Sequence, residues 1–200
     1  LDGVDEVIAG NSAFVLSRPP GHHAEADRAM GFCLFSNAAL AAVYALKQST
    51  INTVAIFDWD VHHGNGTQNI AKSNPDISYS SIHQFPFYPG TGSQMEKGDF
   101  DNVLNIPVPS GFGSTKYKQI FDEQVFPFIQ NFHPDLLIIS SGFDAHRNDP
   151  LAGINLEADD FTNMTKRCLE IQPNLLLGLE GGYDLEALGQ CCVGVCEELM

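Results

Sequence analysis

The sequence predicts an α/β protein, a doubly wound and mostly parallel sheet in one domain spanning residues 1–200. Three observations predict it. Six short apolar runs recur along the chain, several rich in Val, Ile and Leu on both faces, as strands covered on two sides must be. Helical patterns alternate with some of them. No repeat, low-complexity tract or linker divides the 200 residues, a length that suits one domain with a buried core.

Taken in order, strands are expected at 13–16, 53–57, 77–81, 103–106, 136–140 and 175–179. The Ala-rich stretch 37–47 reads as a helix. So does 115–131, where Tyr117, Ile120, Phe121, Val125 and Phe128 recur at helical spacing, and so does 157–171, carrying Phe161, Met164, Thr165 and Cys168. The chain ends on a further helix-like pattern.

With 44% hydrophobic and 18% charged residues, disorder and coiled coil are excluded. The longest apolar stretch, 38–46, is far short of the roughly 18–20 residues of a membrane span. No secretory signal is visible. A soluble, intracellular and cytoplasmic protein is expected. Five cysteines without a C-x-x-C pair fit buried free thiols in a reducing compartment. A formal charge of −15 repels nucleic-acid phosphates and anionic membranes, and would favour cationic substrates such as lysine-rich peptides or polyamines. A start at Leu1 rather than Met is read as a fragment of a longer chain.

Polar clusters follow four of the strands: Arg18 to His23, Asp58 to Gly66, Ser141 to His146 and Glu180 to Tyr183. Ligands of open α/β sheets bind outside the carboxyl ends of strands, so these four segments are expected to converge on one rim. If the second strand runs on, Asp58, Asp60 and His62 share a face. Asp60 and His62 could then reach one metal, with Asp144 as third ligand and a coordination position left for water. Zinc and ferrous iron both suit two carboxylates and an imidazole. A lone D-x-H arises easily by chance, but two acids and a His doublet at one strand end are harder to dismiss.

His22 and His23 follow a rigid Pro-Pro-Gly turn and offer a general base. Asp58 could orient one ring and Asn65 could hydrogen-bond the other. Tyr183, after two glycines, could donate to a developing oxyanion. Phe32 and Tyr88 lie in loops and could wall a narrow channel. No phosphate-binding glycine loop and no G-x-S-x-G elbow is present.

Together these residues resemble the zinc-dependent histone deacetylase family, with its bacterial deacetylase and acetylpolyamine amidohydrolase relatives. The matching segments run in the family's order: RPPGHHA at 18–24, GFCLFSNAALA at 31–41, DWDVHHGNGTQ at 58–68, YPGTG at 88–92, SGFDAHRNDPLAG at 141–153 and LEGGYDL at 179–185. The wording is closest to the class II branch. The resemblance implies an arginase/deacetylase-like fold in which Asp60, His62 and Asp144 bind zinc. It makes His23 the general base and later acid, leaning on Asn65, and His22 its electrostatic partner, bonded to Asp58. Tyr183 would polarise the amide carbonyl. Gly31, Phe32, Tyr88, Leu151 and Gly182 would contact substrate, the Gly31 carbonyl receiving the substrate N–H. A structural potassium would take oxygens from Asp58, Asp60, His62, Ser81 and Ile82, partly through backbone carbonyls.

The implied activity is hydrolysis, by a zinc-activated water, of acyl groups from Nε-acetyl-lysine in histones or other proteins, or from acetylated polyamines. Two alternatives stay open: a non-catalytic acyl-lysine binding or complex-forming module, and a binuclear arginase-like hydrolase. The family's N-terminal portion, which supplies strands and channel-mouth loops, is not recognisable here. An incomplete sheet would expose an edge or apolar face and favour a homo-oligomer.

Overall fold

A computed structural model describes residues 1–200. In chain order the elements are α1 (Asp2–Ile8), β1 (Ala13–Val15), α2 (Asn37–Ala45), β2 (Val54–Asp58), α3 (Asn65–Ala71), β3 (Ile77–Gln84) and β4 (Val103–Val108). There follow α4 (Ser114–Ile120), α5 (Phe126–Phe132), β5 (Leu136–Ser141), α6 (Ala158–Leu169), β6 (Leu175–Leu179) and α7 (Leu185–Glu198). The six strands form one sheet in the order β1-β6-β5-β2-β3-β4, and every neighbouring pair is parallel. From β2 the chain steps outward to β3 and β4, then returns to lay β5 on the other flank of β2. The crevice between β2 and β5 is therefore where strand order reverses, the place such sheets bind ligands.

The apolar runs bury both faces because successive side chains alternate. Ala55, Phe57, Leu137, Ile139, Leu175 and Leu177 point into a 25-residue cluster with Tyr117, Phe121, Ile129, Phe161 and Val195 from the helical layer of α4 to α7. Val54, Ile56, Leu136, Ile138 and Leu176 point the other way, onto Val4, Ala38, Ala42, Ala45 and Ala71 of α1, α2 and α3. The small alanines let α2 lie close to the sheet.

All six expected strands form, with bounds shifted by a few residues. β2 stops at Asp58 and does not run on through Asp60 and His62. The cause is local: Asp58 Oδ1 accepts the Asp60 N–H (3.2 Å) and Asp60 Oδ1 accepts the His62 N–H (2.8 Å), bonds that divert the backbone from the ladder. The helix expected at 115–131 contains a π turn at Phe121–Val125. Pro127 has no N–H to return to the Glu123 carbonyl, and a wider turn absorbs the missing bond. Helices α1 and α3 were hidden by their shortness and by the glycines of H-H-G-N-G. The C-terminal helical pattern is α7, capped by Asp184, whose carboxylate accepts the Ala187 N–H at 2.8 Å.

All five cysteines are free, with Cys33, Cys168 and Cys191 buried and Cys192 and Cys196 partly so. No helix is long and apolar enough to cross a membrane. β1 is an open sheet edge, beside which Leu1, Val15, Leu40 and Leu176 line an apolar groove of about 290 Å³.

Phe161 of α6 is fully buried, its ring centroid 5.1 Å from that of Phe143 and 6.0 Å from that of Trp59. It fastens the helical layer to the segments leaving β2 and β5. Phe161→Ala is expected to cost about 3–5 kcal/mol in urea unfolding.

Candidate active site and metal centre

The carboxyl rim of the sheet gathers the four polar clusters. Beyond β2 and β5, Asp60, His62 and Asp144 bring one ligand atom each to within 4.8 Å of one another. Both carboxylates are fully buried. Asp60 Oδ2 accepts the Gly181 N–H (2.8 Å), and Asp144 Oδ1 accepts the Val61 N–H (2.9 Å). Asp144 Oδ2 has no hydrogen-bond partner. Glycine is required at two neighbouring positions. A Cβ on Gly142 would stand 2.0 Å from Asp60 Oδ2, and one on Gly181 would stand 2.2 Å from Asp144 Oδ2.

This cluster fits a divalent cation. His62 Nδ1 lies 3.0 Å from Asp60 Oδ1 and 3.1 Å from Asp144 Oδ2, yet a neutral imidazole nitrogen carries at most one proton and can serve one of them. Burial and then the Asp60 charge push Asp144 up to about 6, the mark of two carboxylates too close to ionise together without a cation. Burial alone would lower His62, but the adjoining Asp144 and Asp60 carboxylates reverse this and raise it to about 10. Two carboxylate oxygens and one imidazole nitrogen are the donor set of a catalytic zinc or ferrous site.

The His pair stands beside it, ring centroids 4.0 Å apart. His22 Nδ1 donates to Asp58 Oδ2 (3.0 Å), which also accepts the Tyr79 hydroxyl (3.0 Å). Burial opposes charge on His22, but Asp60, Asp58 and Glu180 overcome it and raise its pKa well above the ordinary value. His23 is the opposite case: burial, then the charge of His22, pull it down to about 3. Its tautomer follows from Asn65. Asn65 Nδ2 donates to Glu25 Oε1 (2.7 Å), so Asn65 Oδ1 is the atom facing His23 Nδ1 at 2.9 Å. His23 Nδ1 must carry the proton, and Nε2 is left as a free base.

These groups open into a cavity of about 340 Å³ that includes His22, His23, Asp60 and His62 in its lining. Phe32, Tyr88, Leu151 and Tyr183 form its apolar and aromatic walls, with Gly31 and Pro20 beside them. Phe32 is 74% exposed and holds φ +65°, an uncommon conformation for a bulky residue that concentrates at functional sites. The Tyr183 ring lies 6.3 Å from Phe32 and beneath the Arg18 guanidinium at 5.9 Å. Burial first, then the Asp144 and Asp60 charges, push the Tyr183 hydroxyl up, so it remains a donor at neutral pH. Gly181 rather than Gly182 lines the cavity, and the Gly182 carbonyl instead accepts from Arg18 (3.0 Å). Ser81 pairs with Asp58 across β2 and β3, with Ile82 next to it. No hydrogen bond of the protein ends on the carbonyl oxygens of Asp60 or His62, and buried Asp60 thereby keeps an oxygen available to a hard cation.

Two acids were missed as positioning groups. Buried Glu180 accepts from the N–H groups of Gly21 (2.6 Å) and His22 (3.1 Å) and from Ser140 Oγ (3.2 Å), tying the His-pair turn to β5 and β6. Burial pushes it up to about 7 despite the pull of His22. Asp149 accepts from Leu151 N–H (2.9 Å) and Tyr183 N–H (2.8 Å), joining two walls. The only signal in the sequence was an acid inside an otherwise glycine-rich or loop-like stretch.

The family model described as the histone deacetylase domain matches residues 1–199. The chain is 43% identical over 200 residues to the chloroplastic histone deacetylase 10 of Oryza sativa, which covers 92% of this chain and 45% of that protein. It is 40% identical over 210 residues to a histone deacetylase-like amidohydrolase of Pseudomonas aeruginosa, covering all of this chain and 55% of the relative. The crystal structure of the HDA15 HD domain superposes with a TM-score of 0.95 at 39% identity, over 99% of this chain and 60% of that one. The chain thus spans about half the length of these two curated relatives.

Zinc titration followed by calorimetry is expected to give one tight site that Asp144→Ala removes, because only two ligands remain. Glu180→Ala leaves two buried N–H donors unpaired and is expected to cost about 2–4 kcal/mol in urea unfolding.

Proposed function

This chain belongs to the histone deacetylase family, and we propose that it carries the chemical centre of a metal-dependent amide hydrolase acting on Nε-acetyl-lysine or acetylated polyamines. One observation carries the reading: a neutral His23 with its Nε2 free lines the same cavity as Asp60, His62 and Tyr183. Base, metal ligands and oxyanion donor share one small space.

Asp60, His62 and Asp144 would hold zinc, or ferrous iron, which supplies Lewis acidity and makes water acidic enough to attack at neutral pH. His23 Nε2 takes the proton of the attacking water and later delivers it to the departing amine. Asn65 holds His23 in the tautomer that permits this. His22, charged and paired with Asp58, keeps a second proton on a ring that does not exchange it. Tyr183 donates its hydroxyl hydrogen to the carbonyl oxygen as that atom gains negative charge. Phe32, Tyr88 and Leu151 exclude water and grip an alkyl chain, while the Gly31 carbonyl takes the substrate N–H.

A carrier bearing other positive charges suits a surface of −15. Asp58, Ser81 and Ile82, with the backbone oxygens of Asp60 and His62, would hold a potassium ion beneath the site. Five free thiols suit a reducing, aqueous compartment such as the cytoplasm.

The test is acetate release by zinc-loaded protein from acetyl-lysine peptides and acetylputrescine in parallel. Tyr183→Phe is expected to keep its zinc and lose about 10²- to 10³-fold in kcat. Near-full turnover in that variant would remove Tyr183 from the mechanism. Zinc-loaded wild type that binds the peptide without releasing acetate would select the non-catalytic binding module.

A further inference from the structure

The Y-P-G-T-G segment is absorbed above only through Tyr88. Two of its other residues, Thr91 and Gly92, rest on two buried histidines, His63 and His83, each 1% exposed, with ring centroids 4.9 Å apart. We propose that His63 and His83 are positioning residues for the channel wall, holding the 85–92 loop so that Phe87 and Tyr88 stand over the catalytic imidazoles and set substrate affinity. This rests on the deacetylase reading of the same cavity.

The hydrogen-bond accounting has one solution. His83 Nε2 faces the Gly92 carbonyl at 3.0 Å, an acceptor only, so Nε2 carries the proton. His83 Nδ1 is then an acceptor, and Ser81 Oγ donates to it at 3.0 Å. For His63 the solution starts at Gln68, whose amide nitrogen donates to the Glu96 carboxylate. Gln68 Oε1 therefore accepts from both His63 Nε2 (2.8 Å) and Asn105 Nδ2 (2.6 Å). That leaves His63 Nδ1 as acceptor for the Thr91 hydroxyl at 2.8 Å. Every donor in the set meets an acceptor, and the far end of the loop is tied at two adjacent residues.

Gly92 completes the seat. It is buried at φ +87°, and a Cβ there would stand 2.5 Å from His83 Nε2 and 2.6 Å from His63 Cγ, so only glycine lies flat on the two rings. The other end of the loop leaves β3 at Gln84. Between these anchors, the Phe87 ring stacks on His62 at 5.0 Å and 19°, and the Tyr88 ring meets His23 edge-on at 5.1 Å. A loop held only at its near end, where the Phe85 N–H bonds the Val108 carbonyl at 2.8 Å, would let Tyr88 swing from the cavity and Phe87 leave the His62 ring.

Three variants test this: His83→Ala removes the anchor, His83→Gln returns a donor toward Gly92, and Thr91→Val removes only the hydroxyl given to His63. Amide exchange in 86–92 is expected to rise about tenfold in His83→Ala, with strand amides of β2 and β5 unchanged. Calorimetric Kd for an acetyl-lysine peptide on zinc-loaded protein should weaken about tenfold, and KM should rise alike with kcat within about threefold. His83→Gln should recover most of this, and Thr91→Val should fall between. Unchanged loop exchange, exchange rising uniformly through the fold, or a kcat loss at constant KM would overturn the proposal. A wild type that binds peptide without turnover counts against the hydrolase reading alone, because exchange and Kd still decide this one.

Discussion

Four carboxylates at the carboxyl rim, those of Asp58, Asp60, Asp144 and Glu180, are each 1% exposed or less, and the need to compensate that buried charge organises everything around them. A carboxylate taken out of water costs several kcal/mol unless hydrogen bonds and countercharge replace its hydration. Here backbone N–H groups of Gly21, His22, Asp60, Val61, His62 and Gly181 do part of it. His22 does another part. The remainder falls on the oxygens facing His62, where one imidazole proton is too little for two acids. The shortfall is what fits the cluster to a cation.

The same constraint explains why the loops are built as they are. Four of these N–H groups, those of Gly21, His22, Val61 and Gly181, meet an acid from another strand end, so compensating the charge pulls the β1, β2, β5 and β6 termini together. Gly142 and Gly181 leave no Cβ between backbone and carboxylate. Asp58 and Asp60 bend their own chain by accepting N–H groups two residues ahead, which ends β2 and turns His62 toward Asp144. Charge compensation, chain direction and ligand geometry are here one set of bonds.

Two histidines in contact reach opposite protonation preferences for a related reason. His22 is surrounded by Asp58, Asp60 and Glu180, while His23 meets only the neutral Asn65 at Nδ1 and a charged neighbour on its flank. One imidazole stores charge and the other stays unprotonated. Environment divides the roles of chemically identical side chains. Around them, neutral groups do the positioning: Asn65 for the ring of His23, and the paired rings of His63 and His83 for the loop that carries Tyr88.

The alternating Val/Ile/Leu runs made the parallel sheet legible, because two-sided burial is written locally into four- to eight-residue windows. That Asp60, His62, Asp144, the His pair and Tyr183 meet at one rim was legible too, since the rule that ligands bind past strand carboxyl ends turns a one-dimensional list into a rim. What stayed hidden was non-local. Nothing near Glu180 in sequence tells that its oxygens meet Gly21 and His22, some 160 residues away. Nothing near His63 and His83 tells that Gly92 will lie on their rings. The strand continuation through Asp60 and His62 failed because a side-chain-to-backbone bond competes with the ladder only once the carboxylate is buried.

By itself, then, the sequence determined the six strands, the longer helices, the two faces of the sheet and the chemical inventory of the rim, all properties of short windows and side-chain types. Tertiary structure alone decided which acid pairs with which donor, which imidazole is charged, and which residues hold the channel wall. Those outcomes depend on burial and on partners brought together from distant strands, and electrostatic energies at 3 Å in a low-dielectric interior are settled by neighbours, not by residue type.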